Sequence, residues 1–119
     1  MELIRRIVLD VADSNQPLSM GHWENEQNKH DKVGYHIRML SDEGYLKASI
    51  LNAGDDPYYF VRVTELTWKG QDLADTIRSQ AVWDEVKKRL VAIGESAAIS
   101  VVKDLAIHIS KVMLGIAAS

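Results

Sequence analysis

Apolar residues recur along the chain at two different spacings, and these spacings predict the order of helices and strands. From residue 1 to residue 13 the apolar positions lie three and four residues apart, which places them on one face of a helix. The polar run that ends at Pro17 predicts the end of this helix, because proline disfavours helical geometry in the residue before it. The predicted buried stripe consists of Leu3, Ile4, Ile7, Val8 and Val11.

A second helix is predicted over residues 28–42, where Val33, Ile37 and Leu40 form an apolar stripe of the same period. Asn28 is the predicted N-cap, since its side-chain oxygen can accept a hydrogen bond from a free amide of the first turn. Gly44 is the predicted stop, because glycine adopts the left-handed conformation at a helix end without steric cost. We refer to this element as the central helix.

Residues 19–27, which precede the central helix, show no helical period. Met20 and Trp23 are the only large apolar residues in this segment. A short or irregular element is therefore predicted, either one turn or a brief strand. We expect Trp23 to fill the core or the groove beside it.

Apolar runs over residues 45–51 and 59–66 come next, and the second alternates as a half-buried strand does. The intervening NAGDDPY contains two turn-forming sequences, which predicts a β-hairpin with this loop at its tip. Thr67 is then the predicted cap of another helix, and Gly70 permits that helix to lie close to the hairpin. The predicted buried face of this helix consists of Trp68, Leu73, Ala74 and Ile77.

Two further helices are predicted toward the C-terminal end. The first, over residues 80–93, has a predicted buried face of Val82, Trp83, Val86 and Leu90. The second, over residues 97–114, is apolar around most of its circumference, which indicates burial on two sides and predicts contact with a second copy. The expected interface of this homodimer consists of Ile99, Val102, Ile109, Met113 and Ile116.

Helix, hairpin and helix in this order predict an α+β fold, a winged helix-turn-helix with a two-stranded β-hairpin wing and two additional C-terminal helices. Residues 1–79 form the predicted winged-helix core, and residues 80–119 form a helical extension of the same domain. At 119 residues without cysteine, the chain is long enough to bury one core without disulfides.

Three motifs carry a resemblance to known proteins. YHIRMLSDEGYL (residues 35–46), LTWKGQDLADTIR (residues 66–78) and the dipeptide Val82-Trp83 resemble a family of small uncharacterised proteins, a domain of unknown function found in bacteria, their phages and prophages. The first two motifs are also similar to segments of bacterial winged-helix regulators. The resemblance spans nearly the whole chain and implies a winged-helix core. It implies no catalytic or binding residues, because the family carries no established activity.

Net charge separates the candidate functions more than composition does. The whole chain carries −3 at neutral pH, and residues 1–67 hold seven Lys or Arg against eleven Asp or Glu. Non-specific DNA affinity depends on basic side chains that displace counterions from phosphates. A DNA-binding surface on this chain would have to gather its few cations on one face.

The outward face of the central helix is where a winged-helix protein would present side chains to the major groove. Arg38 can pair with a guanine edge, and the lysines can pair with phosphates. The predicted DNA-binding residues are Lys29, Lys32, Tyr35, Arg38 and Lys47. Asp31 and Asp42 on the same face, and the Asp55–Pro57 turn at the wing tip, oppose contact with phosphate.

Two functions therefore remain open. The first is a small DNA-binding transcriptional regulator of a phage or prophage, which reads double-stranded DNA with two central helices of a dimer. The second is a protein-interaction module, a phage-encoded modulator that holds a host protein without binding DNA.

Other classes of function receive no support from the sequence. It contains no catalytic motif and predicts no cofactor, and the four histidines show no metal-ligand spacing, so neither an enzyme nor a metal site is expected. The early acidic residue and the short apolar run of MELIRRIVLDV do not favour a signal peptide, and no segment has the apolar length of a membrane helix. A cytoplasmic protein without a membrane partner is therefore expected.

Overall fold

Four helices and a three-stranded antiparallel sheet make up the residues that the computed structural model describes, which are 2–93, 104 and 108. They confirm the predicted α+β class. The chain divides into two compact units, Met1–Gln71 and Asp72–Ser119. In chain order the elements are α1 (Glu2–Asp13), β1 (Leu18–Ser19), a 3-10 turn (Met20–His22), α2 (His30–Asp42), β2 (Leu46–Ala53), β3 (Asp56–Leu66), α3 (Trp68–Ile77) and α4 (Gln80–Ile93).

The predicted stripe of α1 is confirmed, since all five of its residues are buried. Trp23, from the segment after the 3-10 turn, is completely buried. Its indole Nε1 donates a hydrogen bond of 2.9 Å to Asp10 Oδ2 on α1. The expectation that Trp23 fills the core is confirmed, and the acceptor on α1 satisfies the one polar atom of its ring.

The central helix, α2, buries Val33, Ile37 and Leu40 as predicted, but its first turn differs from the prediction. Lys29 holds the N-cap position, and no side chain caps the helix there. Asn28 was wrongly predicted as the cap, because the chain turns earlier: the side-chain oxygen of Asn25 accepts from the amides of residues 27 and 28 at 2.9 and 2.7 Å.

The end of α2 follows the prediction. Gly44 has a φ of +83°, the left-handed conformation that glycine adopts most readily. The amide of Tyr45 donates to the Leu40 carbonyl at 2.9 Å, which closes the last turn.

The sheet has the order β1-β3-β2, and β2 and β3 form the predicted hairpin. The hairpin is longer than predicted, because pairing continues to Ala53 and Asp56. Only Gly54 and Asp55 remain in the turn, and Gly54 has a φ of +56°. The two-residue strand β1 adds a third strand on the far side of β3, with Leu18 opposite Val63.

The junction between β3 and α3 is built around Thr67. Its hydroxyl accepts from the Gly70 amide at 3.1 Å and donates to the Gly44 carbonyl at 2.5 Å. A Cβ at Gly70 would overlap the carbonyl oxygen of Tyr45. The predicted cap at Thr67 and the predicted close approach at Gly70 are both confirmed.

Trp68 contradicts the sequence prediction, since 91% of its surface is exposed. It precedes Leu73 and Ile77 by five and nine residues. At about 100° per residue these separations place the indole on the far side of the helix from the buried stripe.

Within the unit Asp72–Ser119, the predicted buried faces of α3 and α4 are confirmed by Leu73, Ala74, Ile77, Val82, Trp83 and Val86. The side chain of Leu90 and the predicted interface residues Ile99, Val102, Ile109, Met113 and Ile116 lie outside what the structure describes. No helix of the described residues has the length and apolar character needed to cross a membrane.

Candidate functional site

The outer face of α2 brings together most of the predicted DNA-binding residues. Lys32, Tyr35 and Arg38 follow one another at three-residue intervals, and all three are exposed. Lys29 precedes the helix and is exposed, and Lys47 lies on β2 and is also exposed. Exposure of these side chains was required for any role in binding a partner.

Two shallow clefts lie between α2 and the hairpin, with volumes of about 290 and 330 Å³. Arg38 and Asp42 line both clefts and thus stand between them. The other residues that line the first cleft are Tyr35, Met39, Glu43 and Tyr58. The other residues that line the second cleft are Ile50, Asn52 and Pro57. We call this region the helix–hairpin surface.

Two of the four cations among the predicted DNA-binding residues are already paired with carboxylates. Arg38 Nε lies 3.8 Å from Asp42 Oδ2, one turn along the same helix. Lys47 Nζ lies 3.4 Å from Glu65 Oε1 on the neighbouring strand. Exposed ion pairs of this kind add little stability, but each one reduces the positive potential that a phosphate backbone would meet.

The hairpin exposes large apolar side chains that the sequence interpretation placed on half-buried strands. Leu51, Tyr59 and Phe60 are 59%, 67% and 42% exposed. Leu51 and Phe60 are direct partners across the two strands. A usable signal was present in the sequence, because three consecutive aromatics at 58–60 cannot all face the core of a strand whose side chains alternate.

A second polar cluster joins the hairpin tip to the start of α2. His30 Nδ1 lies 2.9 Å from Glu24 Oε1, and His30 Nε2 lies 3.1 Å from both carboxylate oxygens of Asp56. The hydrogen bonds to Asp56 and Glu24 raise the pKa of His30 above its usual value of 6.5. The Tyr58 amide, and then His30, lower the pKa of Asp56 below 3.8.

Sequence reasoning missed this cluster because it compared the histidines only with one another. His30 and Asp56 are 26 residues apart, and only the fold of the hairpin over α2 brings them together. No spacing along the chain indicates such a contact.

The cluster also bears on the prediction of no metal site. His30, Asp31 and Asp56 offer ligand atoms within 4.8 Å of one another, a set that can hold a metal ion. Both ring nitrogens of His30, however, already face carboxylate oxygens at hydrogen-bond distance. A protonated imidazole accounts for both contacts, so we assign the cluster to an ion pair.

His36 lies one turn after Lys32 on α2 and is half-buried. Its Nδ1 donates to the Lys32 carbonyl oxygen at 2.7 Å. Burial lowers the pKa of His36 below 6.5, because the charged imidazolium loses hydration there. His36 is therefore a packed, hydrogen-bonded histidine.

Comparison with known proteins identifies the family. Residues 1–96 match the family model described as "Hypothetical protein (DUF2513)". The chain belongs to this family. This confirms the family of small uncharacterised proteins that the motifs resembled.

One relative is similar over nearly its whole length. An "Uncharacterized protein" of Haemophilus influenzae (strain ATCC 51907 / DSM 11121 / KW20 / Rd) is 27% identical in an alignment of 119 positions. The alignment covers 95% of each chain. No solved structure shows a significant match to this DUF2513 protein.

Proposed function

We propose that this DUF2513 protein is a protein-interaction module on a winged-helix scaffold, and that the exposed apolar side chains of its hairpin, Leu51, Tyr59 and Phe60, bind a protein partner. The scaffold assignment is supported by the order of helix, short strand, central helix and hairpin in residues 2–66. The 3-10 turn Met20–His22 stands where the supporting second helix of a helix-turn-helix would lie.

The observation that carries the proposal is the exposed apolar surface of the hairpin. Leu51, Tyr59 and Phe60 are all more than 40% exposed on one short hairpin. Clustered exposed apolar side chains are typical of surfaces that bind other proteins. Tyr35, which lines the first cleft and is 58% exposed, is a further exposed aromatic on α2. Aromatic residues of this kind are enriched at protein interfaces.

Charge favours a protein partner over duplex DNA. Asp42 lies beside Arg38 in both clefts, and Asp55 and Asp56 occupy the hairpin tip. A wing that approaches DNA must pass close to phosphates, and these carboxylates would be repelled there. A protein partner with basic side chains has no such conflict.

DNA binding is the second candidate, and one observation favours it. Lys32, Tyr35 and Arg38 are exposed at successive three-residue intervals on α2, which is the arrangement that a recognition helix presents to the major groove. In this alternative the protein is a transcriptional regulator of a phage or prophage, and Lys29 and Lys47 contact phosphates.

Binding to a labelled mixed-sequence duplex separates the two candidates. The protein-interaction proposal predicts no binding at about 50 mM salt, and DNA reading predicts binding that falls steeply by about 200 mM. Loss of such binding in Arg38→Ala, with unchanged stability, would support DNA reading and overturn the first proposal.

Site-specific photo-crosslinking in the bacterial host tests the protein partner directly. A photoreactive phenylalanine analogue at Phe60 should give a discrete crosslinked band. The matched control is the same analogue at Trp68, which is an exposed aromatic of α3 outside the hairpin. Leu51→Ser should remove the Phe60 band. Equal labelling from both positions, or none from Phe60, would count against the proposal.

We further propose that the protein is cytoplasmic and that it forms a homodimer through the apolar interface residues predicted between Ile99 and Ile116. Light scattering of the full chain should give twice the monomer mass, and Met113→Glu should give the monomer mass. A monomer for the unchanged chain would remove the dimer without affecting the proposed binding surface.

A further inference from the structure

His30 stands at the meeting point of three segments. It is the first residue of α2, Glu24 belongs to the segment that precedes α2, and Asp56 is the first residue of β3 at the hairpin tip. The two carboxylates flank the imidazole at 2.9 and 3.1 Å. The side chains of all three residues are between 34% and 39% exposed, so solvent protons reach them.

The number of available hydrogens decides the protonation state that this geometry requires. A neutral imidazole carries one N–H, and an ionised carboxylate only accepts hydrogen bonds. Both ring nitrogens of His30 face carboxylates. Only the protonated ring can donate to Glu24 and Asp56 at the same time, so the loss of one proton removes one of the two links.

We propose that His30 is a pH-sensitive latch, which in its protonated form ties the hairpin tip and the segment before α2 to the first turn of that helix. Deprotonation releases one of the two carboxylates. Besides Glu24 and Asp56, the charged group that faces His30 is Asp31 of its own helix, which lies within the same 4.8 Å cluster.

The direction of the pH effect follows from the two groups. The pKa of His30 is raised, so its contribution to stability is complete below pH 6.5 and is lost as the pH rises through the higher pKa of the folded state. The pKa of Asp56 is lowered, so its contribution is complete above 3.8 and is lost as the pH falls through its lower folded pKa. The latch is therefore closed between the lowered folded pKa of Asp56 and the raised folded pKa of His30.

The latch would act on the hairpin, which carries the proposed binding residues and also lines the second cleft. Pro57, the neighbour of Asp56, and Asn52 on the opposite strand line the second cleft. Release of the hairpin tip would therefore change the shape of this cleft. This consequence rests on the proposed function, whereas the latch itself does not, and the test below uses no partner.

The test is an NMR pH titration of the full chain between about pH 5 and 9, the range in which histidine side chains titrate, with chelator present to exclude adventitious metal. His30→Gln assigns the imidazole signals. We expect His30 to titrate above 6.5 and the backbone amides of Gly54 and Asp55 to shift with the same midpoint. Midpoints for the hairpin amides that do not follow His30, or a His30 midpoint at or below 6.5, would overturn the latch.

Two variants and a matched control separate the latch from general electrostatics. Asp56→Asn removes the negative charge but keeps the oxygen that accepts from the Tyr58 amide. Glu24→Gln removes the negative charge beside Nδ1 of His30. Each should move the pKa of His30 toward 6.5. Asp55→Asn removes an equal charge from the neighbouring turn residue and should move it less. An equal effect of all three would show a diffuse field and no latch, and Glu24→Gln alone decides the question if Asp56→Asn does not fold.

Discussion

Tyr58 lies directly against Gly34, so that the hairpin meets α2 where the helix has no side chain. A Cβ built at Gly34 would be 2.7 Å from Tyr58 Cδ2 and 2.8 Å from Tyr58 Cβ. These are inner atoms of the side chain, which cannot move away without moving the strand. Tyr58 in turn lines the first cleft of the helix–hairpin surface, so this contact sets the distance between α2 and the hairpin.

Gly34→Ala should therefore destabilise the fold by about 1–3 kcal/mol, the usual cost of an added methyl group in a packed interior. Chemical denaturation measures this loss. Gly21→Ala is the control, because its Cβ would meet nothing closer than 3.9 Å. Equal stability of the two variants would show that Tyr58 does not press on the helix.

Asp10→Ala should destabilise the fold by about 1–3 kcal/mol, since it leaves the buried indole N–H of Trp23 without its acceptor. Asp10→Asn retains an acceptor oxygen and should cost clearly less. Urea unfolding of both variants distinguishes the hydrogen bond from the charge. If the two substitutions cost the same, the negative charge of Asp10 matters and the bond to Trp23 does not.

Thr67→Val should lower the free energy of unfolding by about 0.5–2 kcal/mol, the range for loss of a helix cap. The substitution keeps the shape but removes the hydroxyl that accepts from Gly70 and donates to Gly44. Thr67→Ser keeps both hydrogen bonds and should remain near the unchanged protein in thermal unfolding. A large loss in the serine variant would point to the methyl group instead.

His36 should make the protein less stable as the pH falls below 6.5. The pKa of this imidazole is lowered in the folded state. As the pH falls, His36 is therefore protonated first in the unfolded chain, and this protonation stabilises the unfolded state. The contribution of neutral His36 to stability is complete above pH 6.5 and is lost as the pH falls toward its lower folded pKa. The contribution of His30, in contrast, is lost as the pH rises above 6.5.

Thermal unfolding between about pH 5 and pH 7, on either side of the usual histidine pKa, should therefore show a slope that becomes smaller in His36→Asn. Asparagine can still donate to the Lys32 carbonyl but does not titrate. His22→Asn, at an exposed position outside α2, is the control and should leave the slope in place. An unchanged slope in His36→Asn would assign the acid sensitivity to other groups.

Local sequence patterns predicted α1 to α4, the hairpin, the cap at Thr67, the close approach at Gly70 and the buried stripe of α2. Each of these depends on residues near one another in the chain, where helical and strand periods decide which side chains share a face. Trp68 was wrongly predicted to be buried, although the same helical period places it on the opposite side of α3 from Leu73 and Ile77.

The tertiary structure also brings together polar groups that no local pattern relates. Arg38 and Asp42 share a helix, but His30 meets Asp56, and Trp23 meets Asp10, only because elements distant in sequence pack together. The same packing set the exposed fractions of Leu51, Tyr59 and Phe60. A local pattern records which side of an element is apolar, whereas contacts between elements depend on their register and crossing, which no single segment of the sequence contains.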